Sequence, residues 1–457
     1  MNGKRALILL TFAIIIILVA AVVFVSIEVY PQWPTLGIAA ILTLIVTAFG
    51  SVVAILGGLG NAIKTIEQIF PESAHWGYEK KYREYLHYWN RTVDVKGLST
   101  VGTYSIDLEK VFVELRLSFE NQAKTSADIV PEELIQLSRK RHGLWELLQF
   151  EALSSKPLVI LGPPGSGKTT LMRYATFVLS SERKVRRQTE APDKLPILIY
   201  LREHQDNIAA TDDPFSLVDA VAYAFGEYDK QLPKPWLRGK LDKGRCLIML
   251  DGLDEVADDK KRRDVVSWVE KQIDAYPDNQ FLITSRPHGY RSNTLQGVHT
   301  CEVQPFTSKQ IEKFVQNWYL AHEIMSQQRD DEGVHMEARK GARDLTQRLS
   351  STPELMALAI NPLLLTMIAT VHRYKSALPR RRVELYKEIC DVFLGQWRQA
   401  RGIEGDMTPE QRRSILQPLA FHMMAQNSRE IPAYEAETII QPRLRTVNPD
   451  LEPKDFL

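Results

Sequence analysis

The chain has 457 residues, 57 Lys and Arg against 56 Asp and Glu, a net charge of +1 and 44% hydrophobic residues. So balanced a charge argues against a protein whose main task is to coat nucleic acid, and the length leaves room for about three domains. The three cysteines, Cys246, Cys301 and Cys390, are too far apart for a disulfide framework or a zinc site, which fits a reducing compartment.

The charge is unevenly spread. Only Lys4, Arg5 and Glu28 are charged among the first sixty residues. From Ala6 to Val29 the chain is apolar except for Thr11, Ser26 and Glu28. At about 1.5 Å per residue, a helix over Ala6–Ile27 would span roughly 33 Å, enough for a bilayer core. After Tyr30-Pro31-Gln32-Trp33-Pro34, a second uncharged apolar stretch runs from Thr35 to Leu59. Residues 1–60 are therefore expected to form a transmembrane hairpin of two helices. Lys4, Arg5 and Lys64 flank it and its short loop carries no Lys or Arg, so a multi-pass protein is expected, with both termini and the body cytoplasmic.

Residues 61–130 read as a juxtamembrane helix (61–70) followed by a collar and linker. Within it, Leu108 to Leu117 alternates with the period of a half-buried strand. Pro131 opens an amphipathic helix through Leu134, Leu137, Leu144, Leu147 and Leu148. Short apolar strands then alternate with helical stretches: Leu158–Leu161, Ile197–Leu201, Cys246–Leu250 and Phe281–Thr284. That alternation predicts a parallel sheet covered on both faces, a three-layer α/β fold over residues 131–304. Beyond about Pro305 only helical patterns follow.

Gly162-Pro163-Pro164-Gly165-Ser166-Gly167-Lys168-Thr169 matches the phosphate-loop pattern, with a strand before it and a helix from Thr170 to Leu179 after it. Backbone N–H groups and the helix N-terminus can surround phosphates there. Lys168 would reach the β- and γ-phosphates, and Thr169 would ligate Mg²⁺. In Leu247-Ile248-Met249-Leu250-Asp251-Gly252-Leu253-Asp254-Glu255, Asp251 stands at a strand's C-terminal end, placed to hold Mg²⁺ directly or through water. Glu255, with Asp254 as the alternative, would orient and deprotonate the attacking water. Phe281-Leu282-Ile283-Thr284-Ser285-Arg286-Pro287 ends a further strand, and the Arg286 fork can report whether a third phosphate is present. The basic runs Arg183–Arg187, Lys260–Arg263 and Arg380–Arg382 read as solvated faces, and His422 as a core histidine.

The phosphate loop, the Asp-Gly-Leu-Asp-Glu pattern and Thr284-Ser285-Arg286-Pro287 together resemble a NACHT-type NTPase of the STAND signalling class. The resemblance covers about residues 130–457. It extends through Val303-Gln304-Pro305-Phe306, Ile311 to Tyr319, Asn361-Pro362-Leu363-Leu364-Leu365 and Leu378 to Tyr386. It implies a helical subdomain over 305–402 and a partial winged-helix subdomain over 403–457, beginning in Leu416–Met424. It also implies Pro362 at the adenine base and Thr170 beside the phosphates. Such proteins carry a long C-terminal sensor, so the sequence is expected to continue past Leu457.

The function expected on this basis is a membrane-anchored ATP/ADP switch with slow hydrolysis that forms homo-oligomers on sensing a trigger, as bacterial relatives do in defence against phage or in regulated cell death. A continuously cycling membrane ATPase, a scaffold for a separate effector and a nucleic-acid-dependent ATPase are the alternatives.

Overall fold

The computed structural model describes residues 71–92, 106–119, 140–150, 153, 156–210, 215–226, 233–256, 259–291, 294–375, 378–379, 382–399, 407–426, 428 and 431–457. Two compact units divide the chain, Met1–Lys80 and Lys81–Leu457. Of the first, residues 71–80 are described and are helical.

In the second unit, the described strands form one sheet: β1 Leu117–Ser118, β2 Leu158–Leu161, β3 Leu195–Tyr200, β4 Cys246–Asp251, β5 Gln280–Ser285 and β6 His299–Val303. Their order is β1-β6-β2-β5-β4-β3. Only the β1–β6 pairing is antiparallel. Every residue of β4 is buried, as a strand covered on both faces requires. The order decides where the chemistry gathers. β5 lies between β2 and β4, in register Leu161 to Ser285 and Leu250 to Ile283, so the C-terminal tips of these three strands are neighbours. β3 is an edge strand and tolerates Pro196, which lacks a ladder donor. The Pro196 carbonyl instead accepts from the buried Tyr82 hydroxyl at 3.2 Å.

The four expected strands are present, Leu158–Leu161 with the expected bounds and the other three shifted or lengthened by a residue or two. Two other expectations need correction. Leu108–Leu117 is not one strand: Leu108–Val111 makes a helical turn, and pairing with β6 starts only at Leu117. The alternation is real, since Val111, Val113, Leu115 and Leu117 are all buried, but packing alone produces it over most of that length. The helix expected from Pro131 is described only as Leu144–Gln149, preceded by the extended residues 140–143. β6 was not expected. Its His299, Cys301 and Val303 are buried between polar neighbours, a pattern too short to stand out.

After β6, the helices Ser308–Gln327, Glu332–Ser351, Pro353–Ala359, Pro362–Lys375 and Arg382–Gln399 follow. Phe314, Trp318, Leu345, Leu349, Ile368 and Leu385 share one core with the sheet residues Leu158, Ile160, Leu247 and Leu282. Pro409–Ala425, Ala433–Val447 and Pro453–Phe456 are helical and close on a separate small core of Met407, Ile415, Ile440 and Leu444.

The expected membrane location is corrected. No helix among the described residues is long and apolar enough to cross a membrane. The longest, at 20 residues each, are amphipathic and carry charges throughout, as Glu79, Lys80, Lys81, Arg83 and Glu84 do in Pro71–Asn90. The apolar stretches 6–29 and 35–59, and the helix expected over 61–70, lie outside the described residues.

Candidate nucleotide site

β2 ends at Leu161, and Gly162–Gly167 turns the chain into the helix Lys168–Ser180. Gly165 (φ +75°) and Gly167 (φ +91°) adopt left-handed backbone that glycine reaches at little cost. The turn directs the first N–H groups of the helix and its positive dipole end into the loop, an arrangement suited to phosphate. Lys168 Nζ donates to the loop carbonyls of Gly162 at 2.7 Å and Pro163 at 3.3 Å. Pro163, Pro164, Thr169 and Thr170 are exposed along the rim, whereas Ser166 is buried.

Across the sheet, Asp251 is only 5% exposed. Its Oδ2 accepts from Thr169 Oγ1 at 2.7 Å and its Oδ1 from Thr284 Oγ1 at 2.5 Å. The Thr284 hydroxyl in turn accepts from Gly252 N–H at 2.9 Å, so one side chain links the tips of β4 and β5. Burial pushes the Asp251 carboxyl above the usual range, against the bonds from Thr284 and Thr169. A desolvated carboxylate beside a hydroxyl is a donor pair that suits Mg²⁺, a hard cation that takes one or two carboxylates and completes its shell with phosphate and water. No group of three or more His, Cys, Asp or Glu that could hold a metal ion occurs among the described residues.

The turn after Asp251 is stitched to the end of β5. Gly252 takes φ +82°, Leu253 N–H donates to Thr284 O at 3.0 Å, and Arg286 N–H donates to Asp254 Oδ1 at 2.9 Å. Arg286 Nε also pairs with Asp254 Oδ2 at 3.1 Å, with side-chain exposures of 26% and 4%. Glu255 is exposed. Burial lowers the pKa of Lys168; the Asp254 charge opposes this most strongly, Arg286 adds to it, and Asp251 and Glu255 oppose it. The predicted residues Asp251, Asp254, Glu255 and Arg286 thus all lie near enough to Lys168 for their charges to act on it. Asp254 Oδ1 accepts from the Arg286 main chain, its buried Oδ2 faces Arg286 without a hydrogen bond and its side chain is enclosed, whereas Glu255 is open to water.

Residues 156–322 match the family model of the NACHT domain. The chain carries a NACHT domain. It is accordingly a P-loop NTPase with an α/β core and a nucleotide site. No curated protein matches the chain. Among solved structures, the chain is similar to one in the Drosophila ORC bound to DNA (12% identity, TM-score 0.25, covering 65% of this chain and 68% of that one). It is also similar to domain III of the Thermotoga maritima replication initiation protein DnaA (16% identity, TM-score 0.26, covering 51% of this chain and 84% of that one).

A segment beyond the matched NACHT domain also touches the phosphate loop. Asn361 Nδ2 donates to Pro164 O at 3.0 Å, and Leu363 N–H donates to Gly165 O at 3.2 Å. Asn361 Oδ1 accepts from Leu363 N–H at 3.0 Å and Leu364 N–H at 3.2 Å, capping the helix Pro362–Lys375. A Cβ on Gly165 would lie 2.8 Å from Leu363 Cβ, so this glycine also permits the close approach. Pro362 is held at the loop between these two contacts. Thr284 and Asn361 stand in the motifs that carry the resemblance, but the sequence assigned neither a role at the site.

The other candidates stay outside the site. His422 Nε2 lies 3.2 Å from Glu435 Oε1 at the surface rather than in a core. In the basic runs, Arg186 pairs with Asp193 and Lys261 with Asp206; residues 380 and 381 of the third run lie outside the described residues. Cys246 and Cys301 are buried and Cys390 is exposed, with no disulfide.

Proposed function

We propose that the chain is an ATP/ADP-dependent signalling switch with slow hydrolysis. The observation that carries this reading is the direct bonding of the phosphate loop to the helical region, through Asn361 to Pro164 and Leu363 to Gly165. A ligand shifts a conformational equilibrium only through its differential affinity for the two states. Here the loop that would hold the phosphates also supplies acceptors to the helix Pro362–Lys375, so a change in loop contacts is felt at the helical region without any intermediary. In this reading Lys168 meets the β- and γ-phosphates, Thr169 and Asp251 hold Mg²⁺, and Arg286 meets the third phosphate. Glu255 activates the water, and Pro362 lies at the base. ADP favours the arrangement described above; ATP and a trigger favour release of the helical region and self-association; hydrolysis resets the switch.

Asn361→Ala removes the side-chain bond to the loop and the helix cap together. ADP release, followed with a fluorescent ADP analogue, should accelerate about five- to tenfold; an unchanged rate would contradict the coupling. Self-association should appear by light scattering with a non-hydrolysable ATP analogue and not with ADP. A role in defence against phage or in regulated cell death rests on the resemblance to bacterial relatives. Protection of cells against phage should be lost in Lys168→Ala, and its retention would contradict that role.

A further inference from the structure

The reading above gives Arg286 the task of meeting a third phosphate, and the structure bears on how it would be held for that task. A free arginine side chain loses rotamer entropy when it is held in one position, so a guanidinium that discriminates one phosphate more or less gains by being fixed beforehand. Asp254 meets the same arginine twice: Oδ1 accepts from its main-chain N–H at 2.9 Å, and Oδ2 forms an ion pair with Nε at 3.1 Å that is not a hydrogen bond. Pairing through Nε leaves the outer Nη fork, which carries four of the five guanidinium donors, outside this contact. The exposures are graded to match, 4% for the Asp254 side chain and 26% for the Arg286 side chain: the anchor is enclosed and the arginine is partly open.

The anchor is itself fixed. The turn carrying it is bonded to Thr284 at two points. On the far side, a Cβ on Gly289 would come within 2.4 Å of Asp254 Cβ, so residue 289 must be glycine for the carboxylate to sit there. Asp254 also exerts the largest favourable charge effect on Lys168, so the pair stands beside the phosphate-binding lysine rather than at a remote seam. A water-activating role for Asp254 does not fit, because its side chain is enclosed against Arg286.

We propose that Asp254 is a positioning residue that pre-orients the Arg286 fork, and that it thereby sets the preference of this site for nucleoside triphosphate over diphosphate. The inference rests on the reading of Arg286 given above. The test measures the dissociation constants of ADP and of a β,γ-imido ATP analogue, with Mg²⁺, for the 457-residue chain and its variants Arg286→Ala, Asp254→Asn and the double variant. Arg286→Ala should lower the triphosphate-over-diphosphate preference about tenfold. Asp254→Asn, which keeps the shape and one acceptor, should lower it about three- to tenfold, and the double variant should match Arg286→Ala.

If Arg286→Ala changes the preference and Asp254→Asn does not, the inference fails and the Arg286 reading stands. If Asp254→Asn weakens both nucleotides equally, the pair is only a staple between β4 and β5, and the inference fails. If Arg286→Ala leaves the preference unchanged, the reading of Arg286 falls and the inference with it. Should Asp254→Asn not fold, Arg286→Lys serves instead: it keeps the charge but has neither Nε–H nor fork, so it should lose the preference, and its retention would overturn the inference.

Discussion

The helix Pro362–Lys375 runs between two polar networks of opposite character. At its start, Asn361 and Leu363 meet the phosphate loop, beside a carboxylate that burial pushes above its usual range. Near its end, Tyr319 Oη lies 2.5 Å from His372 Nδ1, His372 Nε2 lies 2.9 Å from Asp344, Arg348 Nε pairs with Asp344 at 3.0 Å, and Arg373 Nε pairs with Glu323 at 3.1 Å. There, desolvation works against the Asp344 charge, but hydrogen bonds from Arg348 and His372 hold its carboxyl below the usual range. In the first network the buried carboxylate is partnered by two threonine hydroxyls, which suits a site completed by a cation; in the second the carboxylates are paired with the chain's own arginines and histidine, which suits a frame.

That contrast can be broken most severely at the ligand end. Glu255→Gln should cut hydrolysis by about 100-fold or more while nucleotide still binds, as single-turnover phosphate release would report. Lys168→Ala should weaken ATP and ADP binding by about 100-fold, measured by calorimetry, because a partly buried ammonium facing phosphate is a charge-assisted contact. At the frame end the effects should be smaller and of another kind. Tyr319→Phe removes the hydroxyl beside a buried histidine, so unfolding free energy should fall by about 1–3 kcal/mol with ADP affinity unchanged. A comparable loss of ADP affinity would mean that the two networks are not distinct.

A still smaller effect should appear with pH. Burial and the Arg373 charge push His322 down to about 3, and burial also lowers His372 despite Asp344. In the unfolded chain such histidines take up a proton near pH 6.5. The unfolded state therefore binds more protons between about pH 6.5 and 3, and stability, fully present above about 6.5, falls as pH falls through that window. Thermal unfolding at pH 7.5, 6 and 5 should show the loss, and His322→Leu should flatten it.

The two networks also differ in how far the sequence revealed them. The residues of the ligand end stand in three short contiguous segments, 162–169, 251–255 and 284–286, because a parallel sheet delivers its strand ends to one edge. Their spacing within each segment carries the chemistry, so most of the site was legible. Tyr319, Asp344, Arg348 and His372 come from three helices, and no local pattern joins them. The role of Asn361 escaped because its partners are main-chain groups, one carbonyl and two N–H, which any sequence supplies. Between Val111 and Leu117 the period-two pattern reported burial faithfully, yet strand pairing also needs a partner strand, and β6 reaches only Leu117 and Ser118.

The central claim is that nucleotide state sets the position of the helical region through its seat on the phosphate loop. It is tested most directly by a spin–spin distance between exposed Lys184 on the sheet side and exposed Lys340 in the helical region, each changed to Cys in a Cys390→Ser background. With ADP, the distance distribution should be single and match the arrangement described here. With the β,γ-imido ATP analogue, a second, longer population should appear and grow on Asn361→Ala. Identical distributions with both nucleotides would contradict the account.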